Sequence, residues 1–210
     1  MFKKSLFLAL LTFITLIAWK RDSNAKTWER YNTTVSADSI LAAIERGEDI
    51  KIDSCEIFGA FKKWGTKERP DTIKNFISIS NSAFFHSVSF KYCYFMAEVR
   101  FFASTFGRMS FYEATFTKHA DFSFTTFAIE ADFWHTTFGE KIDLSLIEFE
   151  DIYLSWKQLD GHLICDVLTS YMLMRYFEEN REFDNTDGFY LYMKDQERMQ
   201  KSPWVRYPEY

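Results

Sequence analysis

The sequence predicts a mainly β fold, a β-helix (solenoid) whose interior is a stack of phenylalanine rings. Phenylalanine occurs 24 times in 210 residues, whereas glycine occurs seven times and proline three times. In the central part of the chain, bulky side chains recur at an interval that is neither that of a helix nor that of a flat strand. Hydrophobic residues make up 47% of the chain, which excludes a disordered low-complexity protein, because such chains lack the apolar residues that drive burial.

The interval between the bulky residues is five or six positions. Side chains on one face recur about every 3.6 residues in a helix and every two in a strand, so each interval fits a short strand followed by a corner. A fixed period of this kind is typical of proteins whose units stack on one another. The predicted core ladder is Ile79, Phe84, Phe90, Phe95, Phe101, Phe106, Phe111, Phe116, Phe122, Phe127, Phe133, Phe138, Leu144 and Phe149.

A second, smaller inward residue precedes each ladder position by two, and a mostly polar residue such as Arg100 or Asp121 lies between them. This alternation indicates short extended segments, because successive side chains of a strand point to opposite faces. The smaller inward positions are Ile77, Ser82, Val88, Cys93, Val99, Ser104, Met109, Ala114, Ala120, Thr125, Ala131, Thr136, Ile142 and Ile147.

The repeated unit resembles that of the pentapeptide-repeat family. The stretches Ala114-Thr115-Phe116, Ala120-Asp121-Phe122 and Ala131-Asp132-Phe133 match its A(D/N/S/T)(L/F)xx pattern, which recurs over residues 50–150. The resemblance implies a right-handed quadrilateral β-helix with one unit on each side of a coil. Many units here have six residues instead of five, which predicts looser corners on some edges.

Grouping the ladder by coils gives specific stacking partners. Coils beginning at Ile79, Phe101, Phe122 and Leu144 are 22, 21 and 22 residues apart. We therefore expect two stacks on neighbouring sides of the solenoid. They are Phe90, Phe111 and Phe133 on one side, and Phe95, Phe116 and Phe138 on the next.

Residues 1–25 have the pattern of a signal peptide. Lys3 and Lys4 form a basic region, and residues 5–19 carry no charge. Ser23-Asn24-Ala25 then places small residues where a signal peptidase reads the chain, which predicts cleavage after residue 25.

The alternative is an N-terminal membrane anchor formed by residues 1–19. Lys20 and Arg21 could lie at the membrane interface behind it, although the apolar stretch is shorter than the about 20 residues that a spanning helix needs. Either arrangement predicts an extracytoplasmic protein, secreted or anchored to the membrane.

The predicted mature chain is acidic. The whole sequence has a formal charge of −5, and removal of residues 1–25, which contain four basic residues and one acidic residue, leaves −8. Such a charge argues against a nucleic acid as the partner, because binding to phosphates is carried by basic residues.

Residues 26–49 are predicted to cap the N-terminal end of the solenoid. Ser36 is a candidate N-cap for a short helix at residues 37–46, and Gly47 is its expected stop. A charged segment, residues 62–72, is predicted as an insertion that interrupts the array.

After Phe149 the apolar residues change to helical spacing, so residues 151–201 are predicted as a C-terminal helical hairpin. A C-terminal segment of this kind also resembles that of exported or membrane-associated prokaryotic members of the family. The predicted parts are a first helix at 160–180, a turn at Asp184-Asn185, a second helix at 186–201 and a tail at 202–210.

The sequence contains no motif typical of a catalytic, cofactor or metal site, so we expect a non-enzymatic protein without a cofactor. The acidic residues of the repeat recur with the period of the fold and do not indicate a catalytic pair. The histidines have no ligand spacing; they are His86, His119, His135 and His162.

The cysteines predict no disulfide framework, because they are three in number and widely spaced. Cys55 and Cys93 fall at inward positions, where a buried, unreactive thiol is expected. Cys165 follows His162 closely, but two residues are only half of a structural metal site.

The candidate functional residues form a stripe of outward-facing side chains on the side that holds Phe90, Phe111 and Phe133. Exposed aromatic patches mark interaction sites, but the C-terminal helices also need a surface to pack on, and this stripe could be that surface. The six residues, called the aromatic stripe below, are Lys91, Tyr92, Tyr112, Glu113, Trp134 and His135.

The leading functional hypothesis is a structural or interaction module whose rod presents one face to a protein partner. One alternative is an acidic pentapeptide protein that mimics DNA and binds a topoisomerase, which the predicted export disfavours. Another is a carbohydrate-binding β-helix. A homodimer through the C-terminal helices or an uncapped end is a further arrangement that the sequence allows.

Overall fold

The computed structural model describes residues 25–200 of the chain. The predicted signal or anchor and the predicted tail at 202–210 lie outside the described residues, apart from Ala25. The helices are α1 (Ala37–Glu45), α2 (Trp156–Leu159), α3 (Val167–Glu179) and α4 (Phe183–Gln200). The strands are β1 (Thr27–Tyr31), β2 (Thr34–Ser36), β3 (Asp49–Asp53), β4 (Glu56–Phe58), β5 (Phe61–Lys62), β6 (Asp71–Ile73), β7 (Ile77–Ser80), β8 (Ala83–Phe84), β9 (Val88–Ser89), β10 (Cys93–Phe95), β11 (Val99–Arg100), β12 (Thr105–Ser110), β13 (Thr115–Phe116), β14 (Ala120–Asp121), β15 (Thr126–Asp132), β16 (Thr137–Phe138), β17 (Ile142–Asp143), β18 (Glu148–Tyr153) and β19 (Leu163–Ile164).

The strands stack in parallel as a β-solenoid, which confirms the predicted mainly β fold with C-terminal helices. The stack β2-β4-β8-β12-β15-β18 corresponds to about six turns. A second stack, β1-β3-β7-β11-β14-β17-β19, forms one side of the rod, and β6-β10-β13-β16 forms another. The strands β12, β15 and β18 bend at a register shift and contribute to two sides each, so a coil has four sides.

The predicted phenylalanine stacks form the core. The rings of Phe90 and Phe111 lie 5.5 Å apart at 2°, and those of Phe111 and Phe133 lie 5.5 Å apart at 18°. On the next side, Phe95 and Phe116 are separated by 4.6 Å and stacked. Every ladder residue from Ile79 to Leu144 is buried, whereas Phe149 is only partly buried. Because burying one such ring contributes roughly 1.5–3 kcal/mol, the stack can hold the rod together.

The smaller inward positions are also buried, including the polar ones. The threonine hydroxyls are satisfied by the coil beneath: Thr125 Oγ1 donates to the carbonyl oxygen of Phe101 at 2.7 Å, and Thr136 Oγ1 to that of Phe111 at 2.8 Å. A buried hydroxyl with a partner avoids the desolvation penalty of an unpaired one, which is why threonine can occupy a core position here.

The two tightest corners of the coil use the left-handed backbone region. Residues with positive φ recur one coil apart at Ala103, Phe124 and Leu146 on one corner, and at Glu113 and His135 on another. Both corners belong to the five-residue intervals of the ladder. Each six-residue interval has one residue more. In β15 this extra residue causes the register shift between β12 and β15. That the six-residue corners are looser stays a prediction.

The N-terminal cap contains the predicted short helix, but the strands that precede this helix belong to the solenoid. Helix α1 begins after Ser36, whose side chain accepts a hydrogen bond from the backbone N–H of Ser39 at 3.2 Å. Gly47 follows the helix with a φ of 77°. Strands β1 and β2 precede the helix and pair with β3 and β4, so the solenoid begins at Thr27, within the segment predicted only as a cap.

The predicted insertion at residues 62–72 is shorter in the structure. Lys62 lies in β5, and Asp71 and the residue after it lie in β6. The chain leaves the coil after Gly65, whose N–H donates to the carbonyl oxygen of Lys91 at 3.0 Å, and returns at Asp71, whose N–H donates to that of Tyr92 at 3.0 Å. The excursion therefore comprises residues 66–70.

The C-terminal region differs from the prediction, because the coil continues beyond Phe149. Ile152 pairs with Ala131, and Leu163 pairs with Ile142, so the segment predicted as the start of a helix at residue 160 contains strand β19. Its apolar residues fill inward positions of one more partial coil, which overrides their helical spacing. The first long helix, α3, begins only at Val167.

Helices α3 and α4 close the C-terminal end of the rod. Tyr176 of α3 contacts the ring of Phe149 at 5.4 Å, and Tyr192 of α4 contacts that of Trp156 at 5.9 Å. The chain reverses between the helices at Arg181, which has a φ of 62°, not at the predicted Asp184-Asn185. Within residues 25–200, no helix is long and apolar enough to span a membrane.

Candidate functional site

The aromatic stripe lies at the corner between the side formed by β9 and the ends of β12 and β15 and the side formed by β10, β13 and β16. Each of its residue pairs follows a buried ring of the stack formed by Phe90, Phe111 and Phe133. The parallel register of β12 and β15 places each pair one coil above the last. The fold therefore brings together the six residues that the sequence singled out.

The side chains of the stripe contact one another along the rod axis. The Tyr92 and Tyr112 rings lie 5.7 Å apart, and the Tyr112 and His135 rings lie 6.2 Å apart, both edge to face. Trp134 contacts His135 at 5.2 Å. Lys91 Nζ lies 5.7 Å from the centre of the Tyr112 ring, a cation–π distance. The stripe is thus a connected ladder of rings on three coils.

The surroundings of Tyr112 raise the pKa of its phenol. Desolvation is the largest cause, and the nearby Glu113 carboxylate, with which the hydroxyl forms a hydrogen bond, raises that pKa further. The hydroxyl is thus engaged within the stripe, and the centre of the stripe offers a ring edge to a partner.

The C-terminal helices do not cover this surface. Among the described residues, the hydrogen bonds and ring contacts that α3 and α4 make with the solenoid go to residues 146–165. Trp134 has an exposed fraction of 43% and His135 is also exposed, while the two tyrosines are half-buried by their neighbours. The helices pack on the end of the rod because the last coil has no coil above it.

The stripe continues to a fourth coil through Trp64, which the sequence analysis missed. Hydrogen bonding of Gly65 to Lys91 places Trp64 one coil below Lys91. Its side chain is 56% exposed, and its Nε1 donates to Ser89 Oγ at 2.7 Å. Lys63 occupies the ladder position at which the next coils have phenylalanine. The repeat is therefore not recognisable in the sequence at this coil. Phe61, which aligns with Val88 and contacts Phe90 at 4.9 Å, is the residue from which this coil could have been predicted.

A groove of about 570 Å³ adjoins the other end of the stripe. Helix α2 forms its wall, because the chain turns into a helix where the next coil would have extended the stripe. The groove is lined by Trp134, His135, Thr136, Thr137, Phe138, Ser155, Lys157, Gln158, Asp160 and His162.

The remaining candidate groups show no assembled chemistry. Within residues 25–200, no cluster of three or more histidine, cysteine or acidic side chains has metal-binding geometry. All three cysteines are free and buried, and burial raises the pKa of Cys93 and of Cys165 to about 12. Thiols with such pKa values stay protonated and are poor nucleophiles. His86 Nδ1 accepts a hydrogen bond from the N–H of Gly59 at 3.2 Å, a structural contact between coils.

Comparison with known proteins gives no relative. No protein-family model matches the sequence, and neither the curated proteins nor the solved structures contain a match. The likeness to pentapeptide-repeat proteins therefore rests on the repeated unit, and the function is argued from the surface.

Proposed function

We propose that this chain is a non-enzymatic, extracytoplasmic interaction module of the pentapeptide-repeat kind, which binds a protein partner through the aromatic stripe and Trp64. The observation that carries the proposal is the alignment of exposed and half-buried aromatic side chains along one edge of the rod on four successive coils. Tryptophan and tyrosine dominate the energetics of protein interfaces, because they bury a large area with little loss of conformational freedom.

The charge of the rod supports a selective interface. Lys91 is a cationic side chain in a chain of net negative charge, and it contacts the Tyr112 ring of the stripe. A partner with a carboxylate opposite Lys91 would gain both charge complementarity and ring contact. Complementary charges of this type mainly determine specificity and the rate of association.

Site-specific photo-crosslinking in the native host tests the proposal. A photoreactive phenylalanine analogue replaces Tyr112 in the full chain, and the matched control carries it at Phe85, an exposed aromatic residue outside the stripe. We expect one protein to crosslink from position 112 and not from position 85. Adding Trp64→Ala should reduce that crosslink, because it removes a neighbouring contact of about 2 kcal/mol.

Equal crosslinking from both positions, or a crosslink at position 112 that Trp64→Ala and Trp134→Ala leave unchanged, would show that the stripe is not the interface. Circular dichroism of each variant controls for folding, because all the substituted side chains lie outside the core.

A further inference from the structure

The groove beside Trp134 is a surface that a protein interface along the stripe does not require. The register of β15 and β18 pairs Asp132 with Tyr153, so Ser155 lies one coil above Trp134. There the chain turns into α2 instead of continuing along the stripe. The result is a step at the end of the rod, with the Trp134 indole below it and the helix as its wall.

The wall of the groove is held rigidly. Gln158 Nε2 donates to the carbonyl oxygens of Phe133 and Thr136, both at 2.9 Å, and thereby ties α2 to the coil beneath. Its Oε1 accepts hydrogen bonds from both the N–H and the hydroxyl of Ser155, each at 2.8 Å. A site whose walls are fixed before binding loses little entropy on taking up a ligand.

Trp134 supplies an accessible aromatic plane. Its exposed fraction is 43%, and His135 contacts its ring at 5.2 Å with an angle of 67°. The backbone N–H of Trp134 donates to Asp132 Oδ1 at 3.0 Å, which fixes the position of the residue. The ring is therefore oriented by its neighbours and still open to a ligand.

The rim of the groove carries polar groups with free bonding capacity. Within residues 25–200, the structure shows no hydrogen bond or ion pair for the side chains of Lys157 and Asp160. His162 Nδ1 lies 2.9 Å from the carbonyl oxygen of Glu140. A carbonyl can only accept, so Nδ1 is the donor of this hydrogen bond.

The groove extends around the corner of the rod. A second depression of about 400 Å³ shares His162 and continues along Glu140 and His119. Glu140 is paired there with Lys118 at 2.7 Å, so that ion pair leaves little net charge. The two depressions meet at His162, so together they form one continuous surface.

We propose that the Trp134 groove binds a neutral oligosaccharide. A sugar ring has a face of C–H groups that packs on an indole, and hydroxyls at its edge that both donate and accept hydrogen bonds. The groove presents that combination: an open aromatic plane, a cationic donor in Lys157 and an acceptor in Asp160. The opposite charges of the latter two disfavour a strongly charged ligand. The volume lies within the range of small-molecule sites.

Titration of the full chain with chitotetraose, cellotetraose, maltotetraose and mannotetraose, followed by calorimetry and saturation-transfer NMR, tests the proposal. We expect at least one of these sugars to bind, and Trp134→Ala to weaken that binding about tenfold, whereas Trp134→Phe retains most of it. Asp160→Asn should also weaken binding. Phe85→Ala is the matched control, because Phe85 is an exposed aromatic residue outside both the groove and the stripe and its removal should leave the affinity unchanged.

Absence of binding to all four sugars, or binding that Trp134→Ala leaves unchanged, overturns the inference. The outcome is separable from that of the proposed protein interface, because Trp64→Ala alters the interface at the end of the stripe away from the groove, whereas Asp160→Asn alters only the groove.

Discussion

At the scale of single residues, the phenylalanines of the central coils contact rings above, below and on the adjacent sides. Phe111 illustrates this, with centroid distances of 5.5 Å to Phe90 and to Phe133, 5.1 Å to Phe116 and 5.4 Å to Phe122. Stacked and edge-to-face pairs add about 0.5–1.5 kcal/mol each beyond burial. Because the contacts are shared between coils, the loss of one ring weakens two neighbouring coils at once.

We therefore expect Phe111→Ala to lower the free energy of unfolding by about 3–5 kcal/mol, through lost burial and the cavity it leaves. Phe102→Ala is the matched control, since Phe102 is 37% exposed and its removal should cost less than about 1 kcal/mol. Urea unfolding followed by circular dichroism measures both. Similar losses for the two variants would contradict the role assigned to the ring stack.

Asp166 links helix α3 to the last coil by hydrogen bonds. Because its pKa is lowered in the folded protein, we expect the stability to depend on pH. Burial opposes its charged form, but hydrogen bonds from Thr169 and from the N–H of Leu146 outweigh burial and lower its pKa. A carboxyl whose folded pKa lies below its unfolded value of about 3.9 stabilises the protein above that pH. The stabilisation is lost as the pH falls through the folded-state pKa.

Asp166→Asn should accordingly destabilise the protein by about 1 kcal/mol near neutral pH, because an amide nitrogen cannot accept the hydrogen bonds that Oδ2 takes from Leu146 and Thr169. The difference from the wild-type protein should shrink below about pH 4. Asp187→Asn, on the exposed side of α4, is the control and should show no such change. Denaturant unfolding at a series of pH values measures it, and a difference that persists at low pH would refute the assignment.

At the scale of elements, the C-terminal helices are seated by one aromatic cluster. The Trp156 ring contacts Phe189 at 5.3 Å and Tyr192 at 5.9 Å, and Phe177 of α3 stacks on Phe189 at 5.5 Å. Gly188 is the residue that lets α4 approach this ring, because a Cβ there would overlap the indole. Glycine is a weak helix former, but at this interior position of α4 it is the residue that permits the contact with Trp156.

Gly188→Ala should therefore destabilise the protein, by about 1–3 kcal/mol, although alanine favours a helix over glycine by about 1 kcal/mol. The neighbouring Asp187→Ala, at an exposed position, should change the stability by no more than about 0.5 kcal/mol. Thermal unfolding of both variants measures the effect. A more stable Gly188→Ala protein would mean that α4 is not seated on Trp156.

At the scale of the whole molecule, both ends of the described solenoid are closed, by different means. Helix α1 covers the N-terminal end, and Arg30 occupies an inward position of the edge strand β1, with its guanidinium carbon 4.2 Å from the centre of the Trp28 ring. An inward charge on an edge strand disfavours pairing with a further strand. The C-terminal end is covered by α3 and α4, and dimerisation through these helices stays a prediction.

The cellular location tests the extracytoplasmic part of the proposed function. We expect the native protein to fractionate outside the cytoplasm, with an intact mass that corresponds to a chain beginning at Lys26. A membrane-bound form that retains residues 1–25 would indicate the anchored alternative, with partners in the same membrane. A cytoplasmic form would overturn the predicted export and favour the topoisomerase-binding alternative.

The sequence by itself determined the repeat, because the interval of the bulky residues sets which side chains point inward and which inward rings stack. It also determined the helix at Ser36, where a local capping signal is sufficient. The six stripe residues could be grouped for the same reason, since their places follow directly from the ladder.

Two coils could be recognised only in the tertiary structure, because the period of the sequence is interrupted in one and ambiguous in the other. Lys63 interrupts the ladder and hid the coil that holds Trp64, and the apolar spacing of residues 160–166 fits a helix as well as a coil. Strand pairing decides between the two conformations. Leu163 in an extended segment pairs with the edge of β17, whereas a helix would leave the backbone groups of that edge unpaired. The Trp134 groove likewise depends on the turn into α2, which is fixed by contacts of Gln158 and Trp156 distant in sequence.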